Sequence, residues 1–429
     1  MTRSTASAGY TLFVLFLINF LNFFDRALPG VVLEPLREEF GLSDTLLGLL
    51  GTAFILVYAL AGIPLGRLAD RLPRTRILAG GVALWSVATG AAAWVSSFAG
   101  LVVARLAVGI GEASCAPAAN SMIGDLYPSE RRARALGLFM LGLPIGSLAC
   151  FALGGWLAQR YGWRMPFLLA MIPGLLVAVL AWFLHEPRRG AQERQPTAAD
   201  RSAERPFRSL LAIPTLWWII ASGAAINFAA YALNTFLPAL LVRVHGLDVA
   251  QAGVISAVVL GATGLLGLTL GGVLADRLHQ RYPRGRLLFG ALALLLATPL
   301  LALGLVQPAG AVTLLTVLLS LGWLLYFLYF VTVYPAIQDV VPPPLRATAM
   351  AVYFFFQYLL GGALGALVVG ALSDHYAAQA AAAEGLRELA ASHRALGLQQ
   401  ALALAIPLSI AATGLSLLMA ARRFVHDRR

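Results

Sequence analysis

Long apolar runs alternate with short polar segments along nearly the whole chain. Each run holds about 20 residues, the length an α-helix needs to cross the hydrocarbon core of a bilayer. The pattern therefore predicts an all-α polytopic membrane protein with 12 transmembrane helices. The runs lie near residues 10–32, 44–65, 76–97, 99–123, 134–157, 165–185, 214–241, 250–274, 286–306, 311–337, 347–371 and 399–420.

A polar segment in the middle of the chain separates the first six runs from the last six. It is rich in Arg, Glu, Gln, Ala and Pro, and we interpret it as a flexible tether. We therefore expect two six-helix bundles, at residues 1–185 and 213–429, joined by a linker at 186–212. A second stretch, 377–396, is rich in Ala, and we expect a surface helix there, outside the membrane.

Composition narrows the possible functions. Charged residues make up only 12% of the 429 residues, whereas soluble domains carry about 25%. All 31 basic residues are Arg, so the chain lacks the phosphate-binding Lys of a P-loop and any Schiff-base Lys. The sequence offers no nucleophile–base pair and no metal-ligand spacing. We therefore expect no enzyme activity, no cofactor and no metal site.

Small residues inside the predicted helices are interpreted as packing positions. Cys115 and Cys150 fall in apolar runs, where free thiols pack as small apolar groups, and we favour this over a disulfide. Gly109 and Gly111 resemble part of a dinucleotide-binding motif, but they lie in mid-helix with no preceding strand. Close helix packing explains them better.

The distribution of Arg predicts the orientation of the helices. If both termini and the linker are cytoplasmic, 23 of the 31 Arg residues lie on the cytoplasmic side and 6 outside, as the positive-inside rule requires. The same residues are spread over loop ends and form no groove, so the net charge of +11 does not indicate nucleic-acid binding. We expect a monomer in the plasma (inner) membrane.

Two motifs occur once in each half of the chain, in the same order. GRLADRLPRTRIL begins at Gly66 and GVLADRLHQRYPRGRLL at Gly272, which aligns Asp70 with Asp276. The pattern Asp-x-x-Pro-x-x-x-Arg begins at Asp125 and again at Asp339. Repetition at nearly constant offset indicates a parallel duplication of a six-helix unit.

These motifs and the six-plus-six plan resemble the major facilitator superfamily over essentially the whole chain. Within it, the NFFDR stretch of helix 1 and the R-x-x-x-G-x-G-E segment from Arg105 to Glu112 resemble the Spinster family. That resemblance implies proton-linked movement of lysophospholipids or sphingoid phosphates. It also implies that Asp25, Arg26 and Glu112 are working residues.

Four charged residues lie inside predicted helices: Asp25 and Arg26 in the first, Arg105 and Glu112 in the fourth. A charge at membrane depth costs roughly 2.5–3.5 kcal/mol on insertion scales, so each should be paired or face a water-filled cavity. Asp25 and Arg26 are adjacent and point about 100° apart on a helix. We therefore expect Arg26 to pair with Glu112 and Asp25 to be less neutralised.

Loss of water around a carboxylate favours its neutral, protonated form. Asp25 is therefore our first candidate for the proton carrier and Glu112 the second. Arg105 could hold a substrate phosphate, or it could satisfy backbone carbonyls and Glu112. The alternative for the whole group is a structural ion pair that never titrates.

The remaining candidates form two sets. The repeated loops are expected to close the cytoplasmic face, with Asp70 accepting hydrogen bonds from a helix N-terminus or from Arg side chains. The other set comprises polar and aromatic positions of helices 7, 10 and 11, which either line a cavity or pack helices together. The gate set is Asp70, Arg71, Arg74, Asp276 and Arg277, and the cavity set is Asn227, Tyr231, Asn234, Tyr326 and Phe355.

The sequence thus predicts a proton-coupled secondary transporter that works by alternating access. The predicted substrate is an amphiphilic anionic lipid, and the alternative is a small organic anion such as a sugar acid. The other partners are the proton and the lipid bilayer. A membrane enzyme acting on lipid and a transport-inactive receptor are the competing classes.

The predicted topology can be tested by labelling introduced Cys residues with a membrane-impermeant maleimide. Asp200→Cys should react only after the membrane is opened, because the linker is expected in the cytoplasm. Glu384→Cys should react in intact cells. Equal reactivity of both positions from outside would contradict the topology.

Overall fold

The structure is a computed structural model that describes residues 2–189, 210, 212–282, 284–342, 345–386 and 388–427. Twelve helices in this part are long and apolar enough to cross a membrane, and no strand occurs in it. The predicted fold class is therefore confirmed. The helices are α1 (Ala8–Val31), α2 (Asp44–Ala69), α3 (Arg74–Trp94), α4 (Phe98–Leu126), α5 (Arg134–Tyr161), α6 (Arg164–Trp182), α7 (Pro214–His245), α8 (Val249–Thr269), α9 (Gly285–Leu305), α10 (Val312–Val340), α11 (Thr348–Ala383) and α12 (Ala391–Asp427).

The chain forms two compact units. Unit 1 contains Met1–Gly41, Ala53–Gln195 and Val249–Ala257, and unit 2 contains Leu42–Thr52, Pro196–Asp248 and Val258–Arg429. The first turns of α2 thus belong to unit 2, and the first turns of α8 belong to unit 1. Most of the predicted linker lies outside the described residues.

Both units use glycine to bring equivalent helices into contact. In unit 1, a Cβ on Gly146 of α5 would lie 2.3 Å from the carbonyl oxygen of Phe20 in α1. In unit 2, a Cβ on Gly365 of α11 would lie 2.4 Å from the carbonyl oxygen of Phe228 in α7. Backbones this close leave no room for a side chain. The α1–α5 contact of one half therefore recurs as the α7–α11 contact of the other, as the repeated motifs predict.

The predicted surface helix at 377–396 is wrong. Its first part continues α11 to Ala383, and its last part already belongs to α12, which begins at Ala391. Ala is the strongest helix former, so the Ala-rich stretch prolongs α11 rather than starting a new helix. A Cβ on Gly397 of α12 would lie 2.4 Å from the carbonyl oxygen of Ser373, so the two helices form a tight hairpin.

An exposed clip in unit 1 joins the segment before α2 to the start of α6. The Glu39 carboxylate accepts hydrogen bonds from Arg164 Nη1 at 2.8 Å and from Trp163 Nε1 at 2.6 Å. The hydrogen bonds from Arg164 lower the pKa of Glu39. The clip therefore holds at neutral pH and weakens as the pH falls through the lowered pKa of Glu39.

Gly146→Ala should destabilise the protein, because its Cβ would overlap the backbone of α1. Overpacking of this kind typically costs about 1–3 kcal/mol, which a thermal melt of the purified protein in detergent would register. Gly137→Ala is the matched control, since its Cβ would meet nothing within 4 Å. Equal melting temperatures for both variants would contradict the close contact.

Candidate functional site

The intramembrane charges of unit 1 meet between α1 and α4. Arg26 Nε lies 2.8 Å from Glu112 Oε2, and the side chains are 8% and 0% exposed. This is the ion pair that the sequence predicts. A pair so fully removed from water is held only if its hydrogen-bond geometry repays the desolvation of both ions.

Asp25 diverges from Arg26 around α1 and does not share its partner. Arg105 Nη1 donates to the backbone carbonyl of Asp25 at 3.3 Å, and Asp25 and Arg105 are 2% and 3% exposed. Asp25 Oδ1 and Glu112 Oε1 are buried and accept no hydrogen bond from the described residues. The cluster therefore contains two carboxylates, each with one oxygen open to a proton.

Aromatic rings surround the two guanidinium groups. The Arg26 guanidinium carbon lies 4.4 Å from the ring centre of Tyr58, and that of Arg105 lies 4.8 Å from the ring centre of Phe54. A cation facing a ring away from water is stabilised by the quadrupole of the ring. Phe54 and Tyr58 are four residues apart, on one face of α2, and this spacing is the signal that the sequence reading missed.

Glycines fix the depth at which α4 presents its carboxylate. A Cβ on Gly109 would lie 2.9 Å from the carbonyl oxygen of Phe54 in α2, and one on Gly111 would lie 2.7 Å from that of Gly81 in α3. The interpretation of these glycines as packing positions is confirmed. Cys115 and Cys150 are buried and free, which also agrees with the sequence.

The first predicted gate loop is anchored within unit 1. Arg74 is 1% exposed, and its Nη1 and Nε lie 2.5 Å from Asp125 Oδ2 and 2.7 Å from Glu186 Oε1. Arg74 thus joins the first repeated motif to the second. In unit 2, Arg286 and Asp339 of the corresponding motifs approach to 3.5 Å.

The other gate residues are two Arg and two Asp of the repeated loops. Arg71 and Arg277 are exposed. The side chains of Asp70 and Asp276 lie outside the described part of the structure. The gate therefore remains a prediction.

The cavity candidates of unit 2 contact residues of their own helix or of a neighbouring helix. Asn227 Nδ2 donates to the carbonyl of Gln357 at 3.0 Å, and Asn234 Nδ2 donates to the carbonyl of Ala230 in its own helix at 2.8 Å. Tyr326 stacks on Trp323 with ring centres 4.1 Å apart. These contacts fit helix packing.

The two remaining candidates of unit 2 lie on α7 and α11. The ring of Tyr231 meets that of Tyr358 edge to face at 6.4 Å. Phe355 is 41% exposed. Of the five candidates, Phe355 is the most accessible.

Sequence reading missed a further buried ion pair, in unit 2. Arg243 at the end of α7 donates from both terminal nitrogens to Asp44, each at 2.7 Å, and both side chains are 5% exposed. Ser373 Oγ donates to the same carboxylate at 2.6 Å. Asp374 accepts from the backbone N–H groups of Asp44 and Thr45 at 3.0 and 2.9 Å, which caps α2.

Twelve spanning helices built from a duplicated unit, with ionisable side chains buried inside the membrane, define a transport protein. The family model of the Major Facilitator Superfamily matches residues 15–378. The chain belongs to this superfamily.

Individual relatives place the chain more narrowly. It is 35% identical over 373 residues to an MFS-type efflux pump of Mycolicibacterium smegmatis, covering 87% of this chain and 85% of the pump. It is 31% identical over 382 residues to human protein spinster homolog 1, covering 84% of this chain and 72% of the human protein.

A solved structure gives the same assignment. A bacterial homolog of the human lysosomal transporter Spinster, in an inward-facing and unoccupied conformation, superposes with a TM-score of 0.88 at 29% identity, covering 99% of this chain and 98% of that one. The resemblance to the Spinster family predicted from the sequence is confirmed.

Removal of one member of the Arg26–Glu112 pair should leave an unpaired buried charge. Arg26→Gln and Glu112→Gln should each destabilise the purified protein by about 3–5 kcal/mol, and the double variant should recover part of that loss. Arg164→Gln is the control, because its pair with Glu39 is exposed at 40% and 37% and such pairs contribute about 0–1 kcal/mol. Thermal melts that rank Arg26→Gln no lower than Arg164→Gln would refute the pairing.

Proposed function

We propose that the protein is a proton-coupled secondary transporter of an amphiphilic anionic lipid, either a lysophospholipid or a sphingoid phosphate, working by alternating access. The observation that carries this proposal is the buried cluster of two carboxylates and two guanidinium groups. Its cations suit an anionic substrate, and its carboxylates suit a proton. The sequence resemblance to Spinster transporters supports the lipid over a sugar acid.

In this mechanism Asp25 carries the proton. Its Oδ1 is buried without a hydrogen-bond donor among the described residues. A negative charge there is unfavourable because the surroundings have a low dielectric constant, and binding a proton removes that charge. Arg105 lies beside it on the backbone carbonyl. A conformational change that moves Arg105 relative to the carboxylate would change the affinity for the proton. Such a difference in affinity between two states couples proton binding to the transition.

Arg26 and Arg105 bind the substrate anion in the same scheme. Guanidinium groups form bidentate, charge-assisted hydrogen bonds with phosphate, and a phosphate near Arg26 would compete with Glu112 for its donors. Glu112, released from the ion pair, is then the second site for a proton. The rings of Phe54 and Tyr58 offer apolar contact next to the charged head of an amphiphile.

The proposal includes a plasma (inner) membrane location with both termini cytoplasmic, and a monomeric transporter. The distribution of Arg supports this orientation. The repeated loops, with Asp70, Arg71, Arg74, Asp276 and Arg277, serve as the cytoplasmic gate.

Asp25→Asn tests the proton step, because the amide imitates the protonated carboxyl. In proteoliposomes with an imposed pH gradient, this variant should fail to accumulate a fluorescent lysophospholipid but should still bind it. Glu38→Gln is the control, since Glu38 is 73% exposed and lies outside the cluster. It should transport like the wild type.

Each alternative has its own outcome in the same assay. Accumulation by Asp25→Asn with unaltered pH dependence would move the proton to Glu112 or elsewhere. Wild-type accumulation of a sugar acid in place of the lysophospholipid would identify the small-anion alternative. Absence of flux with both substrates, while binding persists, would indicate a receptor.

A further inference from the structure

A cavity lies in unit 1, outside the charge cluster. It has a volume of about 330 Å³ and opens between α2, α3 and α4. Its walls are apolar apart from one cation at one end and one hydroxyl at its floor. The lining residues are Leu65, Leu68, Leu72, Arg76, Ile77, Gly80, Gly81, Leu84, Ile110, Gly111 and Ser114.

The floor of this crevice is made of backbone. Gly81 of α3 and Gly111 of α4 approach so closely that a Cβ on Gly111 would lie 2.7 Å from the Gly81 carbonyl oxygen. The Ser114 hydroxyl donates to the carbonyl of Gly111 at 2.8 Å and is therefore satisfied. A Cβ on Gly80 would meet nothing within 4 Å, so the missing side chain of Gly80 forms part of the open space.

The crevice faces away from the charge cluster. Ile110 lines the crevice, whereas Glu112 and Arg105 point into the cluster, and 100° per residue places Ile110 about 160° and 140° from them around α4. Ile110 is 43% exposed and Glu112 is fully buried. The crevice is thus a separate site on the outer face of α4.

The dimensions match one lipid chain in one leaflet. Arg76 lies in the first turn of α3 and Leu84 eight residues further, which is about 12 Å along the helix. One leaflet contributes about 15 Å to the hydrocarbon core. Leu68, Leu72 and Leu84 are 40%, 47% and 45% exposed, so the wall between these two ends is apolar and open.

We propose that this crevice binds one acyl chain of an anionic bilayer phospholipid, with the phosphate on Arg76. The apolar walls favour a hydrocarbon chain over water. The Arg76 side chain is exposed and lies at one end of the cavity, where it can meet the phosphate of a lipid whose chain fills the crevice. The lipid is a resident ligand that steadies α2 against α3 and α4. It is not the cargo, and the inference does not depend on the proposed function.

The test uses the full-length protein, purified in detergent, stripped of lipid and titrated with dioleoylphosphatidylglycerol under native mass spectrometry. The wild type should bind one lipid tightly. Gly80→Leu places a side chain in the crevice from a position where a Cβ meets nothing within 4 Å. It should weaken that binding at least about tenfold, and tenfold is about 1.4 kcal/mol. Arg76→Gln should weaken it as well, because the phosphate loses its cation.

Gly62→Leu is the matched control, since its Cβ also meets nothing within 4 Å but Gly62 does not line the crevice. It should bind lipid like the wild type. The melting temperature of each variant tests whether it remains folded. A Gly80→Leu variant that melts like the wild type and binds the lipid equally well would overturn the proposal.

Photolabelling separates the possible occupants. Phosphatidylglycerol with a diazirine on its acyl chain should label peptides that contain residues 65–84 and 110–114, and Gly80→Leu should lose this label. Labelling confined to other helices would overturn the site. Preferential labelling of the same peptides by a diazirine lysophospholipid would overturn the resident lipid and indicate that the transported amphiphile enters here.

Discussion

The ion pair between Arg26 and Glu112 is the interaction on which the charge cluster of unit 1 depends. Neither group can be left alone at membrane depth, so α1 and α4 must be held at a fixed separation. Arg26 Nε lies 2.8 Å from Glu112 Oε2, and the Glu112 side chain is completely buried, so the two helices are in direct contact at this pair. Because Arg26 pairs with Glu112, it does not neutralise Asp25. The two buried carboxylates therefore differ in how well their charge is compensated, and the chemistry of the site follows from this difference.

The two units share a packing scheme and differ in chemistry. Equivalent glycines join α1 to α5 and α7 to α11, so the duplication has kept the close backbone contacts. In unit 1, α1 and α4 meet through charges. In unit 2, the corresponding α7 and α10 meet through hydroxyls, and Arg243 of α7 pairs with Asp44 near the end of the helix. Tyr329 of α10 lies 2.9 Å from Ser222 of α7 and 3.0 Å from Tyr353 of α11, oxygen to oxygen. The hydroxyl groups are satisfied by each other and need no counter-ion.

Sequence reading succeeded where the residues themselves limited the possible partners, as the few charges inside spanning helices do, and failed where they did not. Length and apolarity define a spanning helix, and two adjacent charges on one helix must diverge, so the 12 spans and the Arg26–Glu112 pair were predictable. Asp44 and Arg243 are separated by 199 residues, and nothing in either neighbourhood indicates the other. The prediction of a separate surface helix at 377–396 was wrong because the Ala-rich stretch extends α11 to Ala383, and α12 already begins at Ala391.

The depth of Glu112 follows from its glycine neighbours rather than from its charge. Gly109 brings α4 against Phe54 of α2, and Gly111 brings it against Gly81 of α3. The two contacts lie on either side of α4, because residues two apart point about 160° away from each other. A helix clamped on both sides cannot shift without breaking a backbone contact, so it holds its carboxylate at the level of Arg26. The same Gly111 contact forms the floor of the lipid crevice, which ties the outer face of α4 to the position of the charge inside.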